Sequence, residues 1–334
     1  MNIPMNRSAR LTRRKVIRAL SAASAMIATA SYAREKWPAR PIRLIVPVTA
    51  GGALDILGRS LAEHMGNDLG QRIVVENHAG ADLAIGHTMT AKSPPDGYTM
   101  MITSNALTST AMLKQTPYDP INDFSPVGEV GYGGLIAVAP AALGVKDLAQ
   151  FVALAKSKPG EFNYATPGIG SGSHINTALL EQAAGIKMTA VVYKGAATTI
   201  PDLLANRIQF TMLPLPVAAP LIAAQKLQAL AVASPDRSSM FSSVPTMNEF
   251  GYPSVTLESW VGILMPAKTP GDIVSRTHAA LRSALKNPEV RSLFERTGTR
   301  IAENGSPESF ARQLKSEMAQ WPRLFEIANI KPES

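Results

Sequence analysis

Residues 41–59 read Pro41-Ile42-Arg43-Leu44-Ile45-Val46-Pro47-Val48-Thr49-Ala50-Gly51-Gly52-Ala53-Leu54-Asp55-Ile56-Leu57-Gly58-Arg59, a strand, a glycine turn and a helix in succession. Ile42, Leu44, Ile45 and Val46 make a short apolar run with the length and β-branching of a buried parallel strand. Pro47 stops the ladder, and Thr49-Ala50-Gly51-Gly52 is a turn of small residues. From Leu54 the apolar positions change to helical spacing, at Leu54, Leu57, Leu61 and Met65. Strand, glycine turn and helix together leave backbone N–H groups facing outward at a helix N-terminus, with no side chains to keep a ligand away. That is a seat for an anion, and by itself it suits a phosphate as readily as a carboxylate.

The 334 residues allow one large or two medium α/β domains, and 46% hydrophobic against 17% charged residues is a globular composition. The formal charge of +8 is misleading about nucleic acid, because its position matters more than its size. Arg7, Arg10, Arg13, Arg14, Lys15 and Arg18 all precede residue 33, where no acid occurs; without them 27 bases face 25 acids. No basic footprint for nucleic acid remains. This leading segment reads as an export signal over residues 1–33. Its basic region is followed by the apolar run Ala19–Ala30 and by Ser31-Tyr32-Ala33, a small-residue cleavage pattern ending near Ala33. The apolar run is too short for a membrane span, which needs about 20 residues. Thr12-Arg13-Arg14-Lys15 resembles a twin-arginine motif, and an ordinary secretory signal fits as well. There is no cysteine, hence no lipoprotein site, disulfide or thiol chemistry. The expectation is a soluble periplasmic protein.

Downstream, strand-like runs at 72–76 and 98–103 alternate with helical patterns, giving βαβαβ and a parallel sheet. The third strand empties into Ser104-Asn105, small polar residues where open α/β sheets bind ligands. Residues 117–127 are turn-rich and are not expected to form a regular element. After a crossing at 135–140 the alternation restarts: a helix at 144–158, strands at 162–165, 188–192, 208–213 and 227–233, and helices at 173–184 and 198–206. A return strand at 260–265 leads to helices at 270–285, 288–297 and 307–327. Each of these three starts at a Thr, Asn or Ser followed by Pro, a cap paired with a first-turn proline. Pro322 is expected to kink or break the last helix near Trp321. The implied organisation is a first lobe of residues 34–135 and 259–334, and a second of 136–258. Two crossings join the lobes as a hinge.

The second lobe carries a matching turn, Thr166-Pro167-Gly168-Ile169-Gly170-Ser171-Gly172-Ser173-His174. Alone it also reads as a tight βα turn with an ordinary serine cap. It is neither a dinucleotide fingerprint, since Ser173 stands at the last glycine position, nor a nucleophile elbow. Paired across a cleft, the Gly51-Gly52 turn and the Gly170-Ser171-Gly172 turn would each supply two or three N–H groups to one carboxylate. Asp55 lies in the first helical turn, where the dipole favours it, and would repel a carboxylate seated there; it either orders the glycine loop or meets a ligand ammonium. Lys194 ends a strand and either brings charge to the rim or is simply solvated. His174 at the helix start donates to a ligand or holds structure. The remaining histidines, His64, His78, His87 and His278, show no metal-ligand spacing, so no metal and no cofactor is expected. No nucleophile–base or carboxylate-pair signature is present, so no catalytic residue and no enzyme activity is expected. Trp37, Trp260 and Trp321 read as packing residues.

The order of motifs resembles the Bug-type substrate-binding proteins of tripartite tricarboxylate transporters. The resemblance rests on Trp37-Pro38 through Pro47, Gly51-Gly52-x-x-Asp55 with Arg59, Val75-Glu76-Asn77, Pro95-Asp96-Gly97-Tyr98-Thr99, Tyr118-Asp119-Pro120, Gly168-x-Gly170-Ser171-x-x-His174, Tyr193-Lys194-Gly195, Val244-Pro245-Thr246 and Trp260-x-Gly262. It implies a two-lobed type II periplasmic-binding-protein fold, with two doubly wound α/β sheets joined by two crossover strands. It also implies carboxylate capture by the two glycine turns and delivery to a membrane permease of the same transporter type. By position it carries site roles onto Thr49, Ala50, Gly51, Gly52, Asp55, Ser171 and His174, and more loosely onto Ser104 and Asn105. The chain departs from the family at Val48, at His78-Ala79-Gly80-Ala81-Asp82-Leu83 and at Ala205-Asn206. The expected ligand is a small carboxylate, whether a dicarboxylate, tricarboxylate, amino acid or aromatic acid, bound by a monomer. Presentation to a sensor kinase, or an enzyme on a similar two-lobed fold, are the alternative functions.

Overall fold

The computed structural model describes residues 37–193 and 196–332. Trp37–Ala39 contain a cis Trp37–Pro38 peptide and belong to a different compact unit from Arg40 onward. The export signal and Lys194 lie outside the described residues.

Strand β1 (Ile42–Val46) lies between β2 (Ile73–Asn77) and β3 (Thr99–Ser104), parallel to both. Ile42, Leu44, Ile45 and Val46 are at most 1% exposed, as a strand covered on both faces requires. Helix α1 (Ala53–Leu69) buries Leu54, Leu57, Leu61 and Met65, the spacing read from the sequence, and ends on the left-handed Gly70. Helices α2 (Ala84–Ala91) and α3 (Ala106–Leu113) follow β2 and β3. Strand β4 (Phe124–Gly133) then runs through Gly134 into β5 (Leu135–Pro140), which belongs to a second sheet.

That sheet is built from α4 (Leu148–Ser157), β6 (Asn163–Thr166), α5 (Gly172–Ala184), β7 (Thr189–Val192), α6 (Ile200–Leu204), β8 (Phe210–Pro214), α7 (Leu215–Ala223) and β9 (Leu227–Ala233). The chain returns through β10 (Ser259–Pro266), α8 (Gly271–Ala284), α9 (Pro288–Arg296), β11 (Thr299–Ile301) and α10 (Pro307–Ile327). Strand orders are β11-β4-β10-β3-β1-β2 and β7-β6-β8-β5-β9. Each sheet has three parallel strands, β2-β1-β3 or β7-β6-β8, and antiparallel strands beside them, so both are mixed rather than purely parallel. This is a two-lobed type II periplasmic-binding-protein fold. The parallel strands point their carboxyl ends, and hence both glycine turns, to one edge of each sheet.

Several elements differ from the sequence reading. Residues 124–127, expected to be irregular, open the long strand β4. Pro126 is tolerated there because β11 pairs only with Gly131–Gly133, leaving β4 an edge strand at the proline. The three-residue β11 carries too little pattern to be seen in sequence. The helix expected from Gly144 starts at Leu148, where the Asp147 side chain accepts from Gln150 N. Asn287 and Ser306 cap α9 and α10 as expected, Ser306 in a capping box with Ser309. Thr269 does not cap α8: its hydroxyl donates to Pro266 O, and Pro270 is the N-cap. Pro322 does not break α10, which is helical from Pro307 to Ile327. The packing of Trp321 and Phe325 on one side of it accounts for this continuity, since tertiary burial outweighs one lost backbone bond. Helix α10 is shared by two cores. Phe310 and Leu314 join the cluster of Trp260, Ile45 and Met101, whereas Trp321 and Phe325 join that of Phe151, Phe210 and Leu180.

Candidate ligand-binding site

The first turn is organised by Asp55, which is 3% exposed. Its Oδ2 accepts from Gly51 N at 2.8 Å and from Arg59 Nε at 3.0 Å. Its Oδ1 accepts from Asn77 Nδ2 at 2.9 Å and pairs with Arg59 at 3.0 Å. Asn77 Nδ2 also donates to Val48 O, and its Oδ1 accepts from Arg59. Burial alone would raise the Asp55 carboxyl, but the Arg59, Gly51 and Asn77 hydrogen bonds together hold it below the usual carboxylate range. Gly52 N donates to Thr49 O at 3.2 Å, so the N–H groups of Gly51 and Gly52 are both used inside the turn. Ile56 N returns to Gly52 O. The helix-start amides with no acceptor in the turn or helix are those of Ala53, Leu54 and Asp55. Ala50, Gly51 and Ala53 are exposed. Gly51 has φ +81 with open space around it, and Gly52 sits close to Val48 and Thr49 O.

The second turn has the same plan with different parts. Ser171 is the N-cap of α5, its Oγ accepting from His174 N at 3.2 Å and lying 3.0 Å from Thr166 Oγ1. Ser171 N donates to Gly168 O, and Ile175 N to Ser171 O. The amides of Gly172 and Ser173 are left at the helix start. His174 is 5% exposed, stacks on Tyr164 and accepts from Gly170 N on Nδ1 at 3.2 Å, which puts the ring proton of the neutral imidazole on Nε2. Burial lowers its pKa. His174 therefore does for this turn what Asp55 does for the first. Its other side borders a cavity of about 550 Å³ with Ile169, Glu181 and Ile330. Gly170 has φ +77, and a Cβ there would lie 2.7 Å from Leu113 Cδ1. The second turn thus touches the end of α3, whose start is Ser104-Asn105.

Ser104 Oγ accepts from Ala106 N at 3.4 Å, and Asn105 Oδ1 accepts from Ser259 Oγ at 2.8 Å. Asn105 thus ties the start of α3 to strand β10. The two glycine turns share no hydrogen bond among the described residues. Arg59, Asn77 and Thr166, quoted in the sequence motifs but given no site role there, organise the two turns. The Asp55–Arg59 spacing of four on a helix was the available signal; Asn77 is found only through its β1 register partner Val46. Among the described residues no three His, Asp or Glu form a set able to hold a metal.

The fold and the paired helix-start turns define a solute-binding protein of the periplasmic class. Residues 57–330 match the model of the tripartite tricarboxylate transporter family receptor, TctC. Protein BugT of Bordetella pertussis is 32% identical over 321 residues, covering 94% of this chain and 98% of its own. An R. palustris protein solved with adipate has a TM-score of 0.77 at 31% identity, covering 89% of this chain and all of its own. MatC from Rhodopseudomonas palustris, solved with bound malate, has a TM-score of 0.72 at 27% identity over 86% of this chain and 99% of its own. The chain belongs to the tripartite tricarboxylate transporter receptor family, a family of periplasmic solute-binding receptors.

Proposed function

We propose that this chain captures a small organic acid between its two lobes, in the periplasm, and delivers it to the membrane permease of a tripartite tricarboxylate-type transporter. The observation that carries this reading is the shared plan of the two turns. In each, one buried side chain, Asp55 or His174, takes up a loop amide and leaves the first helical amides without a partner in the turn. Thr49, Ala50, Gly51 and Gly52 shape one wall; Gly170, Ser171 and Gly172 the other; Ser104 and Asn105 lie between them. Four or five amides donating to a carboxylate, each charged bond worth about 1.5–3 kcal/mol gross, offset the ordering costs to reach micromolar affinity, about −8 kcal/mol. No arginine clamp is needed, and Arg59 is already committed to Asp55 and Asn77.

The neighbours solved with adipate and malate favour a dicarboxylate as the first probe. Export by the leader of residues 1–33, cleaved near Ala33, supports the periplasmic location; no helix among the described residues is long and apolar enough to cross a membrane. Closure takes place about the Gly133–Leu135 and Glu258–Ser259 crossings, between lobes of residues 34–135 with 259–334 and 136–258, the end of α10 with Trp321 and Phe325 staying packed on the second lobe, and the receptor acts as a monomer without catalysis. A thermal-shift screen of adipate, malate, benzoate, glutamate and glucose tests the ligand class. Stabilisation by at least one carboxylate and none by glucose is expected; the reverse outcome ends the proposal.

A further inference from the structure

Glu317 is 9% exposed and lies on α10 between the residues that helix gives to the two cores. Its Oε2 accepts from Trp260 Nε1 at 2.9 Å and from Thr108 Oγ1 at 2.7 Å. Trp321 Nε1 donates to the same Thr108 Oγ1 at 3.1 Å. Thr108 Oγ1 also lies 2.9 Å from Asn105 O, and one hydroxyl proton cannot serve both acceptors. With Glu317 ionised, the proton goes to the carboxylate, whose other donor is a single indole N–H. With Glu317 protonated, the carboxyl donates to Thr108 Oγ1, and the hydroxyl proton turns to Asn105 O at the first turn of α3. That helix is tied at one end to β10 through Asn105 and Ser259, and at the other meets the second turn through Leu113 and Gly170.

We propose that Glu317 is a positioning residue: its proton directs the Thr108 hydroxyl and so sets how firmly α3 is seated between the hinge strand and the Gly170 turn. Burial pushes the Glu317 carboxyl up to about 7, so the change falls in the neutral range. The elements packed against α10 bring Glu129 and Tyr132 from β4, His174 and Glu181 from α5, His278 from α8, and Lys114 after α3. Glu129 is held by Tyr132, His278 by Val127 O, His174 by Gly170 N, Glu181 by Met188 N and Lys114 by Asp82. On α10 itself, Arg312 and Lys315 are exposed. The network stands on its own hydrogen bonds; only its consequence for ligand binding rests on the proposed function.

Trp260 and Trp321 report on the network directly, so the test is tryptophan emission together with amide exchange of α3 in the ligand-free protein. Between about pH 6 and pH 8.5 the wild type is expected to show one emission transition near 7, and α3 amides about tenfold less protected at the upper pH after correction for intrinsic exchange. Glu317→Gln should abolish both changes, and His278→Gln should leave both. Thr108→Val should remove the change in α3 protection, and Thr108→Ser should restore it; this pair decides the matter if Glu317→Gln fails to fold. A transition that persists in Glu317→Gln, or α3 protection that is the same at both pH values, overturns the proposal. A thermal shift with adipate is run separately: its absence, with the pH response intact, counts against the ligand reading and not against this one.

Discussion

Asp55 and Gly51 form one unit at the residue scale, because the carboxylate fixes the glycine amide and the glycine supplies a φ that other residues rarely adopt. A Cβ on Gly51 would meet no neighbour within 4 Å, so in Gly51→Val the fold should survive, at a cost of about 1–2 kcal/mol or more for the left-handed backbone. Carboxylate affinity should nevertheless be lost, and calorimetry showing wild-type affinity in a folded variant would contradict the turn's role. Asp55→Asn leaves Arg59 without its fork partner and should lower stability by about 1–3 kcal/mol at neutral pH. The sign of its pH dependence follows from the depressed carboxyl. Its contribution is present above the unfolded value, roughly 3.9, and is lost as pH falls through the lower folded value. Thermal melts from pH 7 downward should therefore show the wild-type advantage over Asp55→Asn disappearing only in strong acid. At the second turn, Gly170→Ala should be costly both for its φ and for its clash with Leu113, and Leu113→Ala in the same chain should relieve only the steric part.

Among the elements, β10 and α10 show how close packing constrains sequence. A Cβ on Gly262 would lie 2.3 Å from Phe310 Cζ, so Gly262→Ala should destabilise by about 1–3 kcal/mol, partly recovered by Phe310→Leu. Glu317 on α10 has the opposite sign to Asp55. Its raised carboxyl means that the native state holds a proton the unfolded chain releases above roughly pH 4.3. Stability should fall as pH rises from there to about 7, by on the order of 3 kcal/mol, and then level off. Glu317→Gln should flatten this slope in denaturant titrations, and an unchanged slope would place the titrating group elsewhere. The elements legible in sequence were those with a complete local pattern: β1, the α1 stripe, β9, and the capped starts of α9 and α10. Those that were missed depend on tertiary context. Strand β4 begins among turn residues and is held by β10; β11 is three residues long; and Thr269 turned back to Pro266 rather than capping α8.

The whole molecule repeats one device, a βα turn held by a buried side chain, in two sheets that share helix α10. The small-residue composition of both turns and their place after a strand could be read from Thr49–Asp55 and Thr166–His174. Which amides are left over could not. Sequence pointed to Gly51 and Gly52 as donors, whereas their N–H groups are taken by Asp55 and Thr49, which leaves the amides of the first helical residues, from Ala53 on, without a partner in the turn. Arg59 and Asn77 stood in the sequence motifs, but their roles were not legible, since their partners are set by strand register and helix facing together. The central claim is that helix-start amides of both turns hold one carboxylate. An amide chemical-shift titration of the exported chain with adipate, followed at Ala53, Leu54, Gly172 and Ser173, probes this arrangement. All four resonances are predicted to move together on one binding curve. Adipate binding that leaves either turn's amides unmoved would contradict the account.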